Sequence, residues 1–175
     1  MTYAIKIGGV AAAETFNTTD ELIAKYKHHN IRLHCLLNPW SSMLNLTNSN
    51  NDHVESYDRK ITNFIHDVGD SLKKAQTLKL IDPYIVLNEY DNEMNQTFSK
   101  IKKNIHSALC NDIDLSGAMQ WIISLIDITT EYINGEKIHV KLVQNVYDKI
   151  INLLKIFGLN YPDVFYCKKN LDDDK

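Results

Sequence analysis

Residues that interrupt regular structure are scarce in this sequence, which has 6 glycines and 3 prolines in 175 positions. Folds made of many short strands need frequent turns, and glycine and proline supply most of them. Their scarcity therefore excludes a loop-rich β architecture and favours a mostly helical protein. Hydrophobic residues make up 44% of the chain and charged residues 23%, a balance that allows one domain of this length to bury a core.

Cysteine is also rare, and the three cysteines lie far apart, at Cys35, Cys110 and Cys167. An odd number of scattered thiols is not a disulfide framework, and reduced thiols are typical of cytosolic proteins. No apolar run is long enough to cross a bilayer, and Lys6 breaks the N-terminal stretch that would otherwise resemble a secretion signal. We therefore predict a cytoplasmic protein without a membrane partner.

The sequence has no excess of positive charge, since its net charge is -3. Phosphate neutralisation by Lys and Arg supplies most of the affinity of a small nucleic-acid-binding protein. The charge therefore argues against a free-standing, tight RNA binder. It permits an auxiliary surface that contacts RNA while another domain supplies most of the binding.

What the sequence does contain is apolar residues at steps of three and four, the spacing of amphipathic helices. The predicted helical stripes start at Leu22, Ile31, Val54, Met94, Leu115 and Val140. Long helices joined by short connectors predict an all-α protein, folded as an antiparallel helical bundle. We expect the bundle to span residues 16–158, after an irregular segment at 1–15 and before a disordered tail at 159–175.

Local signals predict where several helices begin and end. Thr18 is the predicted N-cap of the first helix, Asn30 a predicted break after it, and Pro39 the end of the second. Residues 45–52 are rich in Asn, Ser and Thr and predict a linker, whereas residues 81–88 fit either a loop or a short helix.

The last two helices carry the clearest end signals. Asp114 is the predicted N-cap of the fifth helix. Gly158 is the predicted left-handed C-cap of the sixth.

No catalytic or metal-binding arrangement can be assembled from the motifs. His28, His29, His34 and Cys35 resemble part of a metal site, but we expect them on two differently oriented helices without a second thiol. His106 and Cys110 form at most half a site, and Cys110 is predicted to fill the core as a small hydrophobe. The chain also lacks a glycine-rich phosphate loop and a nucleophile elbow. We predict no catalytic, metal-binding or cofactor-binding residue.

The basic residues allow two interpretations. They cluster near the first two predicted helices, at Lys25, Lys27 and Arg32, and on the fourth, at Lys100, Lys102 and Lys103. Each cluster fits a solvated helix face, which is the common case, or an RNA contact. Trp40 fits either a packing plug between elements or a base-stacking platform.

Three stretches resemble the eukaryotic cysteinyl-tRNA synthetases. Residues 30–45 read NIRLHCLLNPWSSMLN and are similar to the segment that follows the catalytic core in that family. Residues 103–114 read KNIHSALCNDID and resemble the family's Ile-His-x-Ala-Leu-Cys signature, and residues 154–158 resemble the close of the last bundle helix. Order and spacing agree across roughly residues 16–158.

The resemblance implies a DALR-type bundle, which in the family braces the catalytic core and runs along the tRNA. Arg32 takes the place of the arginine of that class, either as a tRNA contact or as a brace at a helix junction. Where the family carries its lysine-containing ATP loop, this chain reads GGVAAAET at residues 8–15. ATP and zinc belong to the family's catalytic domain, so the resemblance implies that this chain alone is inactive. Its implied partners are the cysteine tRNA and that catalytic domain.

Two alternatives stay open beside a synthetase fragment. The first is a stand-alone interaction module that kept the fold and lost the enzyme, and the second is a helical scaffold with an accidental match. The coding sequence upstream of Met1 separates the synthetase fragment from the stand-alone module. A nucleotide-binding domain encoded there would indicate a fragment.

Overall fold

The structure, a computed structural model, describes residues 19–26, 28–42, 48–77, 87–135 and 138–162. Every regular element in these ranges is a helix, so the all-α prediction is confirmed. The six helices are α1 (Thr19–Tyr26), α2 (His28–Leu37), α3 (Asn48–Thr77), α4 (Glu89–Cys110), α5 (Leu115–Ile133) and α6 (Val140–Ile156).

Two predicted breaks in the first half of the chain are wrong. Asn30 lies inside α2, and residues 48–52 belong to α3. Asparagine is only a weak helix breaker, so its local preference does not interrupt either helix. At the start of α3, Asn51 donates a hydrogen bond to Glu55 Oε1 at 2.9 Å, an i, i+4 contact that supports a polar first turn. The predicted Thr18 cap and most of residues 81–88 lie outside the described residues.

In the second half, α5 begins at its predicted cap, whereas the capping box that begins α4 was not predicted. Asn88 and Asp91 form a reciprocal capping box at the start of α4, and Asp114 accepts a hydrogen bond from the Gly117 amide at 2.8 Å at the start of α5. Each cap satisfies donors that a helix leaves unpaired in its first turn. Because only residues 111–114 join α4 to α5, α5 folds back along α4.

The apolar stripes of the helices meet in one core. α5 lies at its centre, in contact with α2, α3, α4 and α6. The largest side chains that are fully buried are Tyr132, Tyr147, Phe64, Leu33, Leu36, Ile61, Ile65, Met119, Ile122, Leu125, Ile126 and Ile150.

A buried cluster of hydrogen bonds joins α4, α5 and the start of α6. The Tyr132 hydroxyl donates a hydrogen bond to Asp91 and accepts one from the His139 amide at 2.8 Å. Burial raises the pKa of Tyr132, and the bond to Asp91 adds to the effect. Tyr90 stacks on Tyr132 at 5.1 Å between ring centroids. These hydrogen bonds give the buried carboxyl group of Asp91 the polar partners that a buried polar group requires.

Packing continues past the boundary predicted at Gly158. Leu159 is buried, and the Tyr161 hydroxyl donates a hydrogen bond to Asp58 Oδ1 at 2.7 Å. His29 Nε2 lies 3.0 Å from the same carboxylate oxygen. Burial and the contact with Asp58 raise the pKa of Tyr161. These contacts tie the segment after α6 to α2 and α3.

Candidate interaction surface

Two loops that are distant in the sequence meet at one end of the bundle. Residues 38–42 follow α2, and residues 111–114 connect α4 to α5. Ser116 Oγ donates a hydrogen bond to the Leu37 carbonyl at 2.9 Å and ties the loops together. Between them lies a groove of about 360 Å³, lined by Cys35, residues 38–41 and residues 111–116. We call it the Trp40–Ile113 groove after the two apolar side chains at its edge.

The α4–α5 turn holds Ile113 in an unusual backbone conformation. Asp112 and Ile113 both have φ of 53°, in the left-handed region that β-branched residues rarely adopt. The turn is held from both sides, because the Asp114 amide donates to the Ala108 carbonyl at 3.1 Å while the Asp114 side chain caps α5. As a result Ile113 is 65% exposed, a large apolar side chain maintained in solvent by a strained turn.

The loop after α2 directs Trp40 outward. Asn38 Nδ2 donates to the His34 carbonyl at 2.8 Å, and Ser42 Oγ donates to the Pro39 carbonyl at 2.9 Å. These bonds close the loop locally without Trp40, which is 74% exposed. Trp40 therefore does not pack between elements, which was one of the two interpretations of the sequence. The turn at Pro39 points its side chain away from the core.

Arg32 caps the C-terminal end of α6. Its Nε donates to the Phe157 carbonyl at 2.8 Å, one of the carbonyls that a helix leaves unpaired in its last turn. Gly158 has φ of 79°, and a Cβ there would lie 3.2 Å from Arg32 Nε. The left-handed cap at Gly158 and the bracing geometry of Arg32 are both observed. The RNA contact at Arg32 stays a prediction.

The predicted lysines are only partly within the described structure. Lys100, Lys102 and Lys103 are exposed on α4, and Lys102 Nζ lies 5.0 Å from the centre of the Phe98 ring. The side chain of Lys25 and all of Lys27 lie outside the described residues. The structure therefore leaves the α4 lysines accessible and does not bring them into the groove.

The four candidate metal ligands near the start of the chain lie on the single helix α2, so the prediction that two differently oriented helices carry them is wrong. They do not converge. His29 pairs with Asp58, whereas His34 is buried and its Nε2 has no hydrogen-bond partner. Burial lowers the pKa of His34. In the ranges that the structure describes, no three His, Cys, Asp or Glu side chains are grouped to hold a metal ion.

Cys110 is exposed, so the prediction that it fills the core is wrong. Cys110 lies five residues after the buried Ile105, which places it roughly 140° around α4 from that side of the helix. His106 Nε2 is 3.6 Å from its sulfur.

Sequence reasoning missed the groove and the His29–Asp58–Tyr161 contacts for the same reason. Their members are separated by tens of residues, and no local pattern links them. The only sequence signal for the groove is that residues 30–45 and 103–114 both resemble one family.

The fold and this surface define a helical bundle with an apolar-edged groove at one end. No protein-family model matches the chain. It is similar to the cytoplasmic cysteine–tRNA ligase of Drosophila melanogaster, with 24% identity over 147 residues, or 83% of this chain and 20% of the relative. The Xenopus laevis and Homo sapiens enzymes of the same name are each 24% identical over 150 residues, with the same coverage.

These matches confirm the resemblance inferred from the sequence, and the chain is related to one part of the cytoplasmic cysteine–tRNA ligases. The chain spans about a fifth of the length of the relatives it matches. None of the described helices combines the length and the apolarity that a membrane span requires.

Proposed function

We propose that this chain acts as the helical part of a cysteine–tRNA ligase, bracing the catalytic domain and contacting the tRNA without performing chemistry itself. The observation that carries this proposal is the convergence at the Trp40–Ile113 groove. The two longest stretches that resemble the family lie about 70 residues apart in the sequence, and they build one surface. In the proposal ATP and zinc are bound by the catalytic domain, and the setting is the cytoplasm, as the names of the relatives indicate.

The exposed apolar side chains of the groove are typical of a surface that a protein partner covers, and less typical of one that stays in solvent. Trp40 and Ile113 are among the most exposed large hydrophobic residues of the described chain, and a strained turn maintains one of them. Truncation of a tryptophan that a partner covers costs about 2 kcal/mol or more. We therefore assign bracing of the catalytic domain to the Trp40–Ile113 groove.

A chimera tests the bracing role. The matched segment of the Drosophila melanogaster ligase is replaced by this chain, and attachment of cysteine to tRNA is measured. We expect activity above background. Trp40→Ala in the chimera should lower it at least tenfold, whereas Trp121→Ala, the only other tryptophan, should have little effect.

Two outcomes would contradict bracing. One is a chimera that melts cooperatively but attaches no cysteine to tRNA, and the other is an equal loss of this activity in both tryptophan variants. The coding sequence upstream of Met1 supplies an independent test. A nucleotide-binding domain encoded there supports the proposal. Its absence, together with capture of a separately encoded protein at the groove, supports the stand-alone module.

The tRNA contact is proposed for exposed cations, among them Lys100, Lys102 and Lys103 and the predicted Lys25 and Lys27. Since the net charge is -3, we expect weak binding that declines steeply with salt. Fluorescence anisotropy of labelled cysteine tRNA at 50 and 200 mM salt measures it. Undetectable binding at 50 mM would remove tRNA contact by this chain from the proposal.

A further inference from the structure

The exposed face of α6 differs in charge from the faces of the other long helices. Its exposed ionic residues are Lys141, Lys149 and Lys155. The only carboxylate of α6, Asp148, is half-buried. Among the described parts of α3 to α6, this is the one helix whose exposed charges are all positive.

The neighbouring helices show the contrast. The exposed charged residues of α5 are Asp127 and Glu131. On α3, Lys60 forms an ion pair with Asp127 at 2.8 Å, and Lys73 pairs with Asp70 at 3.4 Å. The net charge of -3 therefore conceals an uneven distribution. Acidic groups pair with Lys60 and Lys73 of α3, whereas Lys141, Lys149 and Lys155 of α6 have no ion-pair partner among the described residues.

The spacing along α6 places these residues in one line. Lys141, Asn145, Lys149, Asn152 and Lys155 follow one another at steps of three and four residues, so they share one side of the helix. At about 1.5 Å per residue, the outer lysines are separated by roughly 21 Å along the axis. We call this line the α6 stripe.

The arginine that marks the family resemblance lies at the C-terminal end of the same helix. Arg32 donates to Phe157 at the C-terminal end of α6, in the turn that follows Lys155, and its side chain is exposed. Arg32 therefore adds a fourth cation at the C-terminal end of the helix that carries the stripe. Lysine, arginine and asparagine are residues that proteins use for contacts with phosphate and sugar.

We infer that the α6 stripe binds the phosphate backbone of an RNA, with Lys141, Lys149 and Lys155 as the phosphate contacts. The inference rests on the proposed tRNA contact and assigns a surface to it. An acidic chain can bind RNA in this way because the lysines of the stripe are not neutralised locally, whereas the total charge limits the affinity.

Three phosphate contacts have a measurable salt signature. Each neutralised duplex phosphate contributes about -0.9 to the slope of log K against log salt. The α6 stripe alone should therefore lower the affinity by about 40-fold between 50 and 200 mM salt. Replacing all three lysines with glutamine should make the slope less negative by about 2.7, and Lys149→Gln alone by about 0.9.

A charge-matched control separates a local contact from a general effect of charge. Lys60, Lys73 and Lys74 are exposed on α3. Changing these three to glutamine alters the net charge from -3 to -6, as the α6 triple variant does. We expect the α3 variant to keep the parent slope. Thermal melting verifies that both variants are folded, and the single Lys149→Gln variant provides the test if the triple variant is not.

The possible outcomes distinguish a failure of the α6 inference from a failure of the proposed tRNA contact. A reduced slope for the α6 variants with an unchanged slope for the α3 variant supports the inference. Equal slopes for the two triple variants, or loss of binding only on changing Lys100, Lys102 and Lys103, overturns it and leaves the proposed tRNA contact in place. A parent chain that binds no tRNA at 50 mM salt overturns both.

Discussion

Ser116 Oγ donates a hydrogen bond of 2.9 Å to the carbonyl of Leu37, 79 residues earlier in the chain. The bond joins the first turn of α5 to the last residue of α2, and Ser116 is buried. It lies beneath the Trp40–Ile113 groove and connects the two loops that form it. The shape of the groove therefore depends on a contact inside the bundle as well as on its surface residues.

Removing this contact should destabilise the protein measurably. Ser116→Ala leaves the Leu37 carbonyl without its side-chain donor, so we expect unfolding to be easier by about 1–3 kcal/mol. The measurement is chemical denaturation. Ser107→Ala, a change at an exposed serine of α4, should stay within about 0.5 kcal/mol of the parent. Equal midpoints for the two variants would show that the Ser116 bond contributes nothing.

The brace between Arg32 and α6 can be separated from an ordinary exposed arginine. Arg32→Ala removes a charge-assisted bond to Phe157, and we expect a loss of about 1.5–3 kcal/mol. Arg59→Ala is the matched control, because Arg59 Nε donates to the Glu55 carbonyl of its own helix at 3.3 Å on an exposed surface. The prediction fails if Arg59→Ala destabilises the protein as much as Arg32→Ala.

Acid should weaken the fold through His34. Burial lowers the pKa of His34 in the folded state, so the unfolded chain takes up a proton more readily than the folded protein does. Stability contributed by neutral His34 is therefore present above about pH 6.5 and is lost as the pH falls through the unfolded pKa toward the folded one.

Thermal melting between pH 7.5 and 5.5 measures the effect of His34. We expect His34→Leu to flatten the decrease in the midpoint, whereas His66→Gln, at an exposed histidine of α3, should leave it unchanged. A decrease of the same size in the His34→Leu variant would assign the pH dependence to other groups.

The strained turn should respond to a residue that tolerates left-handed backbone. Ile113→Asn removes a β-branched side chain at φ of 53°, and we expect the free energy of unfolding to rise by about 1 kcal/mol. Ile156→Asn is the comparison, since Ile156 is also exposed but lies in regular helix, where the change should give no gain. If Ile113→Asn leaves the free energy of unfolding unchanged or lowers it, the left-handed backbone at Ile113 is not a source of strain.

The helical class of the protein and several helix ends could be predicted, because both depend on residues that are close together in the sequence. Asp114 and Gly158 act as predicted, since a cap needs only its own helix terminus. Asn30 and residues 48–52 could not be placed correctly, because the local preference of asparagine against helix is weak and does not decide where a helix ends. Exposure at the end of a helix was harder still. Cys110 and Trp40 follow apolar runs, yet both lie in solvent. The helical rotation of roughly 100° per residue turns Cys110 away from the core, and the turn at Pro39 after α2 directs Trp40 outward.

The sequence by itself determined an all-α protein, its capping residues and its resemblance to one part of the cysteine–tRNA ligases, because periodicity, caps and motifs are local properties of the chain. The tertiary structure decided which distant residues meet: Ser116 with Leu37, Arg32 with Phe157, and Tyr161 with Asp58. It also decided that acidic side chains pair with Lys60 and Lys73 of α3, whereas the lysines of α6 have no ion-pair partner among the described residues. Long-range partners depend on how the helices pack, and packing is settled by the whole core at once.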